Sequence, residues 1–236
     1  MKNLKVTSAI LGLGLIALYS TASNSASSDV FGGASFIKDA SHGFIGAVTA
    51  TNGDITQEGF LVRGSAGAGQ YDYDNRNVAG GDVETNFGSI DLLGGYQAFF
   101  QNNQTLKFYV GGSWENHQLS PKDYNAEVRG TEFGLKSQVE YYANFNNVVT
   151  NAIGAYSTGF DTYFTLANVG YDFGGFAFGP EVAFLGNEGF HQQRVGGFLG
   201  NIEIGDVILS LSSGYAFASG VAEQSIYGGF NFTRRF

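Results

Sequence analysis

The chain ends in a strand pattern whose last residue is aromatic. One face of this segment holds Ile226, Gly228, Phe230, Phe232 and Phe236, and the other holds Tyr227, Asn231, Thr233 and Arg235. Because successive side chains of a β-strand point to opposite sides of a sheet, the pattern predicts a strand with one apolar face. A closing strand of this kind is typical of outer-membrane β-barrels. Arg234 interrupts the apolar face beside the terminus, where its stem can lie along apolar surface while the guanidinium stays in water.

The N-terminus has the pattern of a secretory signal peptide. Two lysines precede a short apolar run over 9–19, which small residues follow. Cleavage after Ala22 or Ala26 is expected, so residues 1–26 are assigned to the signal and 27–236 to one mature domain. The apolar run is too short to span a bilayer as a helix. No later segment approaches eighteen apolar residues, and a helical membrane protein is therefore not expected.

Composition narrows the remaining classes of fold and ligand. Without the two N-terminal lysines the chain has ten basic residues (12 − 2) against 21 acidic ones, a net charge of about −11 (10 − 21), which argues against nucleic-acid binding. There is no cysteine, so neither a disulfide framework nor a thiolate metal site is expected. The 36 glycines disfavour helices. A mean hydropathy near zero suits a barrel, in which alternate residues face lipid, but also a soluble β-sandwich.

Turn residues divide the mature chain into twelve predicted strands. They lie near 30–37, 42–51, 57–72, 84–101, 104–116, 128–144, 147–158, 161–173, 175–186, 189–203, 206–218 and 222–236. An even count places both termini on the periplasmic side, so odd-numbered connections should be extracellular and longer. The two long polar connections, 72–83 and 115–127, both fall on that side. We therefore predict an all-β fold, a closed antiparallel up-and-down transmembrane β-barrel in the bacterial outer membrane.

Alternation also predicts which charged side chains line the lumen. The polar faces of the strands contribute Arg63, Lys107, Glu132, Lys136 and Glu140. A hairpin with a symmetric turn at 186–189 would place Glu181 directly opposite Arg194, as a charge pair inside the barrel. Such a pair either neutralises and rigidifies the interior or serves ligand binding or gating. Pro180 in the same strand cannot donate to the ladder and would suit an edge or a bulge.

No catalytic or metal site is predicted from the sequence. The histidines at 42, 117 and 191 lack metal-ligand spacing, and no cofactor is expected. The segment Tyr71, Asp72, Tyr73 and Asp74 is predicted to lie in a surface loop. Its acids fail the spacing of an EF-hand calcium loop because Arg76 stands where an oxygen ligand is needed. Its tyrosines could stack on sugar rings or form part of an aromatic rim, and the two readings stay open.

Four short motifs resemble one protein family. They are Gly179-Pro180-Glu181-Val182, Gln193-Arg194-Val195-Gly196, Ser213-Gly214-Tyr215 and Tyr227-Gly228. Over roughly residues 30–236 the chain resembles the BcsS-type cellulose biosynthesis proteins, which are exported β-rich proteins. The resemblance implies an accessory role in exopolysaccharide production and supplies no catalytic mechanism.

These observations lead to one functional expectation and two alternatives. We expect a non-catalytic outer-membrane accessory protein of cellulose or exopolysaccharide biosynthesis and secretion. Its partners would be outer-membrane lipid and either β-glucan or components of the cellulose-secretion machinery. A lumen lined by so many charges should be constricted, which favours a scaffold or a surface-loop contact with glucan over passage of the polymer. The alternatives are a small passive porin and a secreted soluble β-sandwich that binds carbohydrate.

Overall fold

The structure, a computed structural model, describes residues 27–236 except 77, 79, 101, 102 and 221–223. The predicted signal peptide at 1–26 lies outside the described residues. Twelve strands follow one another along the chain: β1 (Ser28–Ile37), β2 (Ala40–Ala50), β3 (Gly59–Asp74), β4 (Asp82–Phe100), β5 (Gln104–Ser120), β6 (Gly130–Phe145), β7 (Val148–Ser157), β8 (Tyr163–Asp172), β9 (Ala177–Asn187), β10 (Phe190–Ile204), β11 (Val207–Gly220) and β12 (Ser225–Arg235). Each coincides with a predicted strand, and the largest boundary difference is four residues, at the end of β5. The described residues contain no helix long and apolar enough to cross a membrane.

The twelve strands form one closed antiparallel barrel. Each strand pairs with its neighbours in the sequence, and β1 pairs with β12 to close the sheet. The seam is strengthened by Arg235, whose Nε and Nη2 donate to the two carboxylate oxygens of Asp29 at 2.8 and 3.0 Å. The C-terminal Phe236 extends the pairing, because its N–H donates to the carbonyl of Ser28. Closure of a single sheet confirms the predicted barrel and excludes the alternative of a two-sheet sandwich.

Side chains alternate between an apolar exterior and a buried interior. Outward positions expose large apolar residues, including Ile90, Leu92, Phe133, Leu135 and Ile226. Inward positions on the same strands bury Gln97, Gln138 and Tyr227. Arg234 faces outward beside the terminus, where its guanidinium lies 4.6 Å from the centroid of the Phe236 ring and pairs with Asp206 at 3.6 Å. The exterior is therefore suited to lipid, and the interior is packed with protein side chains.

The barrel has two different ends. The terminal end carries the start of β1, the end of β12 and the connections 51–58, 146–147, 173–176 and 205–206. The opposite end, the mouth, carries the connections 38–39, 121–129, 158–162 and 188–189. Strands β3 to β5 have 16 to 19 residues, whereas β7 and β8 have 10. A tilted strand needs about 9–11 residues to cross a membrane. Strands β3 to β5 are longer than this, and the wall is tallest at the mouth on that side.

Candidate functional site

The β9–β10 hairpin has a tighter turn than the sequence predicts. Asn187 pairs with Phe190 across the ladder, so that only Glu188 and Gly189 form the turn. The Oδ1 of Asn187 accepts hydrogen bonds from the N–H groups of Gly189 (2.9 Å) and Phe190 (3.3 Å). This side-chain cap fixes the position of the turn, which is centred one residue later than the predicted turn.

The shifted turn changes the partners of the two predicted charges. Glu181 lies opposite Gly196, and Arg194 lies opposite Ala183. The prediction that Glu181 lies directly opposite Arg194 is therefore wrong. The residue opposite Glu181 lies two positions further along β10 than predicted. Pro180 causes no bulge, because the β9–β10 register runs through it without a shift.

Tyr227 on β12 connects the two charges inside the lumen. Its hydroxyl donates to Oε1 of Glu181 at 3.4 Å, and the guanidinium carbon of Arg194 lies 5.2 Å from the centroid of its ring. The ring occupies the space above two facing glycines: a Cβ on Gly196 would lie 2.6 Å from the hydroxyl, and one on Gly214 2.9 Å from the ring. Only glycine leaves room for this ring, since those Cβ distances are far inside van der Waals contact.

The remaining hydrogen bonds of the two charges involve neutral groups. Arg194 donates from Nε to Gln192 (2.7 Å) and from Nη1 to Ser35 on β1 (2.8 Å). Glu181 accepts from Asn168 on β8 at 3.4 Å. Within the described part of the chain, Glu181 and Arg194 do not approach each other as an ion pair. The cluster instead ties β8, β9, β10 and β12 to β1 across the lumen, which is a stabilising role.

The motifs that carry the family resemblance meet in this cluster. Glu181, Arg194, Gly196, Gly214 and Tyr227 belong to four separate motifs and to four different strands. The sequence did not lead us to predict that Tyr227 contacts both Glu181 and Arg194. The alternation pattern could have indicated it. Tyr227, Gly196 and Gly214 all occupy lumen-facing positions on strands β10 to β12. A large ring beside two glycines predicts that the ring packs over them.

Three of the predicted lining residues, Arg63, Lys136 and Glu140, take part in two ion pairs. Lys136 donates from Nζ to Oδ2 of Asp91 at 2.7 Å, and both side chains are mostly buried. Arg63 lies 3.9 Å from Glu140 and places its guanidinium 4.3 Å from the ring centroid of Phe31. Charges taken out of water need such partners, so these pairs explain how a narrow lumen accommodates them.

The other two predicted lining residues lie towards opposite ends. Lys107 faces Glu140 across the β5–β6 ladder, near the terminal end. Glu132 lies at the mouth, where its carboxylate accepts a hydrogen bond from the N–H of Phe160 at 2.8 Å. The predicted lining is therefore spread along the barrel and does not form one site.

The terminal end is filled by a terminal plug, which we define as the connection 51–58 and the side chains packed around it. Ile55 in this connection is 2 % exposed. The carboxamide of Gln97 donates to the carbonyls of Ile55 (2.8 Å) and Gln57 (2.6 Å), which holds the connection inside the barrel. Ile55 belongs to an apolar cluster with Val48, Ala50, Leu61, Leu93 and Tyr109. A second buried cluster contains Val149, Ala177 and Phe198.

The mouth is covered by a mouth cap, the turn 158–162 between β7 and β8. Phe160 in this turn is 1 % exposed, and its ring contacts His117 edge-on at 5.1 Å. Its N–H donates to Glu132, and its carbonyl accepts from the N–H of Glu188 at 3.1 Å. The turn thus folds into the opening and is held by neighbouring strands on both sides.

Residues 71–74 form the end of a strand and not a surface loop. Strand β3 continues to Asp74 and pairs with β4 up to Asp82, so the predicted surface loop is wrong. Alternation separates the four residues: Tyr71 and Tyr73 point inward, whereas Asp72 and Asp74 are exposed. Both acids lie at the mouth end of the barrel, on its outer face. Tyr73 is 8 % exposed and has little surface for stacking on a ligand.

Beside the mouth cap lies an open cleft of about 260 Å³, the mouth cleft. It is enclosed by the end of β3, the connection 121–129 and the β9–β10 turn, and its lining residues include Tyr71, Asp74, Asn125, Glu127, Val128, Asn187 and Phe190. The turn packs against this connection, since a Cβ on Gly189 would lie in ordinary van der Waals contact, 3.4 Å from the side chain of Val128. Three separate elements of the fold therefore form the walls of the cleft.

Asp123 gives the mouth cleft a rigid base. Its carboxylate accepts hydrogen bonds from the hydroxyl of Tyr73 (3.0 Å), the carboxamide of Asn75 (2.6 Å) and the N–H of Asn125 (3.0 Å). These bonds, first among them the one from the Asn125 backbone, lower the pKa of Asp123 below its ordinary value. A charged and fully bonded carboxylate fixes the connection 121–129 against the end of β3.

The described residues contain no group of three or more histidine, cysteine or acidic side chains arranged to hold a metal ion. The arrangement described above offers ion pairs, hydrogen bonds and the mouth cleft. These features support packing and binding.

Comparisons with known proteins agree with the barrel. Two solved structures of KdgM porin are similar to this chain. The porin in complex with disordered oligogalacturonate matches with a TM-score of 0.52, and the porin alone with 0.50. Both matches have 10% identity and cover 88% of this chain and 99% of the porin. At this identity the likeness shows the fold alone. A search of curated proteins gave no significant match. The family model described as "Cellulose biosynthesis protein BcsS" matches residues 29–236, which is the barrel without its first residue, and the chain therefore belongs to this family.

Proposed function

We propose that this protein is a non-catalytic outer-membrane accessory protein of cellulose biosynthesis and secretion. Membership of the BcsS family supports the connection to cellulose. The closed barrel with its apolar exterior supports an outer-membrane location, with lipid as its solvent. In this orientation the terminal end faces the periplasm, and the mouth cleft faces the outside of the cell.

The observation that supports this mechanism is the burial of large apolar side chains at both ends of the lumen. The terminal plug fills one end with Ile55, Leu93 and Tyr109, each at most 2 % exposed, and the mouth cap fills the other with Phe160. Between them Lys136 pairs with Asp91 and Arg63 with Glu140, whereas Glu181 and Arg194 are held by hydrogen bonds to neutral groups. A glucan chain has no continuous path through such an interior, so the barrel would act as a scaffold and through its mouth surfaces.

The test is a gene deletion in a cellulose-producing host, combined with localisation of the protein. We expect the deletion to reduce cellulose at the cell surface without stopping its synthesis, and the wild-type gene to restore it. The protein should fractionate with the outer membrane and migrate differently on SDS gels before and after boiling. Unchanged surface cellulose in the deletion strain would refute the proposal.

A small passive porin is the second candidate. The fold shared with KdgM porin favours it, because porins of this size conduct small solutes through their lumen. This function would require that the terminal plug and the mouth cap move aside. It predicts steady ion conductance in planar bilayers and no effect of deletion on cellulose.

A further inference from the structure

The mouth cleft contains polar groups whose hydrogen-bonding capacity is unused. Asn187 is 7 % exposed, and its Oδ1 caps the β9–β10 turn. Its Nδ2 has no partner within the described part of the chain, although the residue lines the cleft. The side chains of Asp74, Asn125 and Glu127 line the same space and are likewise without partners among the described residues. These groups are open to water in the cleft, and a ligand with matching hydrogen-bonding groups can take the place of that water.

The same cleft has an apolar side. Tyr71, Val128 and Phe190 contribute it, and Tyr71 and Phe190 are partly accessible. Val128 is buried against the β9–β10 turn and so keeps the wall in place. Small-molecule sites combine such apolar walls with a few placed polar groups. A ligand with one face of C–H groups and an edge of hydroxyls, as in a pyranose ring, has the complementary chemistry.

Charge decides which sugars the cleft can accept. Asp74 and Glu127 bring negative charge, Asp123 adds a third carboxylate beneath them, and no lysine or arginine is among the lining residues. Uronates, sulfated sugars and phosphates would meet repulsion without a compensating cation. Neutral sugars donate their hydroxyls to carboxylates in charge-assisted hydrogen bonds, which are the stronger kind.

We propose that the mouth cleft binds the end of a neutral β-glucan chain, an inference that rests on the proposed function and names its ligand. The volume of about 260 Å³ lies just below the range of roughly 300–1,000 Å³ usual for small-molecule sites. It suits one or two sugar rings. The fixed base formed by Asp123 preorganises the site, which lowers the cost of binding.

The test measures binding of cellotetraose to the purified mature protein in detergent micelles by isothermal titration calorimetry. The double variant Asn125→Ala/Glu127→Ala removes two free polar groups at exposed positions and should fold normally, as its heat-modifiable migration would verify. We expect saturable binding by the wild type and at least about tenfold weaker binding by the double variant, since each lost hydrogen bond contributes severalfold. Tetragalacturonate should not bind.

Tyr124→Ala is the matched control. Tyr124 belongs to the same connection and is 73 % exposed, but it does not line the cleft. Its replacement should leave cellotetraose binding within about twofold of wild type. The inference is overturned if the wild type does not bind cellotetraose, if the double variant binds equally well, or if Tyr124→Ala abolishes binding.

The two proposals fail in distinguishable ways. The cleft inference alone is overturned if the deletion strain has reduced surface cellulose but the wild-type protein does not bind cellotetraose. Tight and cleft-dependent binding of cellotetraose, together with a deletion strain that exports normally, would overturn the proposed function and leave the binding site standing.

Discussion

Removal of the Tyr227 ring should destabilise the barrel more than removal of any comparable ring on its exterior. Tyr227 is 3 % exposed and fills the space above Gly196 and Gly214. Its replacement by alanine would leave a cavity that these glycines cannot fill, and large-to-small changes of buried aromatic residues cost about 3–5 kcal/mol. Glu181 would also lose the hydroxyl donor, and Arg194 would lose the ring beneath its guanidinium. We therefore expect Tyr227→Ala to lower the free energy of unfolding by about 3–5 kcal/mol.

Tyr215→Ala provides the matched comparison. Tyr215 lies on the neighbouring strand, faces outward and is 42 % exposed. Lipid chains can occupy the space that its ring leaves, so the loss should be only about 1–2 kcal/mol. Tyr227→Phe, which removes only a 3.4 Å hydrogen bond, should cost about 1 kcal/mol or less. Reversible urea unfolding in lipid vesicles measures all three. The reasoning is refuted if Tyr227→Ala is no more destabilising than Tyr215→Ala.

Three further perturbations test the charged contacts. Asp29→Asn should weaken the closing seam by about 1–2 kcal/mol in urea unfolding, because Arg235 loses a bidentate carboxylate; an unchanged midpoint would contradict this. Lys136→Met should lower the free energy of unfolding by about 3–5 kcal/mol, because Asp91 is left buried without its cation. Adding Asp91→Leu should recover most of this stability. A double variant as unstable as the single one would argue against the ion pair. Because the pKa of Asp123 is lowered from its ordinary value of 3.8, the charged carboxylate stabilises the folded state fully above that pH. This stabilisation is lost as the pH falls through the folded-state pKa. Proteolysis of the connection 121–129 should therefore accelerate only under such acid conditions, and Asp123→Asn should accelerate it at neutral pH as well.

The strands and their faces could be predicted because a period of two is a local property of the sequence. In β6, for example, Phe133 and Leu135 alternate with Glu132 and Lys136, and the structure places the first pair outward and the second pair inward. The mouth ends of the long strands were harder to predict. Asp72 and Asp74 made the segment look like a polar loop, although they occupy outer positions at the mouth end of a strand.

Contacts across the lumen could not be predicted, because they depend on closure and on exact register. The turn at 188–189 depends on the Asn187 side chain, and a shift of one residue in its centre moves Arg194 away from Glu181. Ile55 lies in a connection that has no strand pattern, and its burial arises only because the closed barrel offers it an interior. The family motifs lie on the strands that form this cluster, but only the folded barrel shows that the Tyr227 ring packs over Gly196 and Gly214.

Conductance of the purified mature protein in planar lipid bilayers tests the central claim most directly. If the terminal plug and the mouth cap close the lumen, the wild-type protein should insert without producing steady channels at either polarity. Long-lived channels that appear with each insertion event would contradict a sealed barrel and would make the small passive porin the better account.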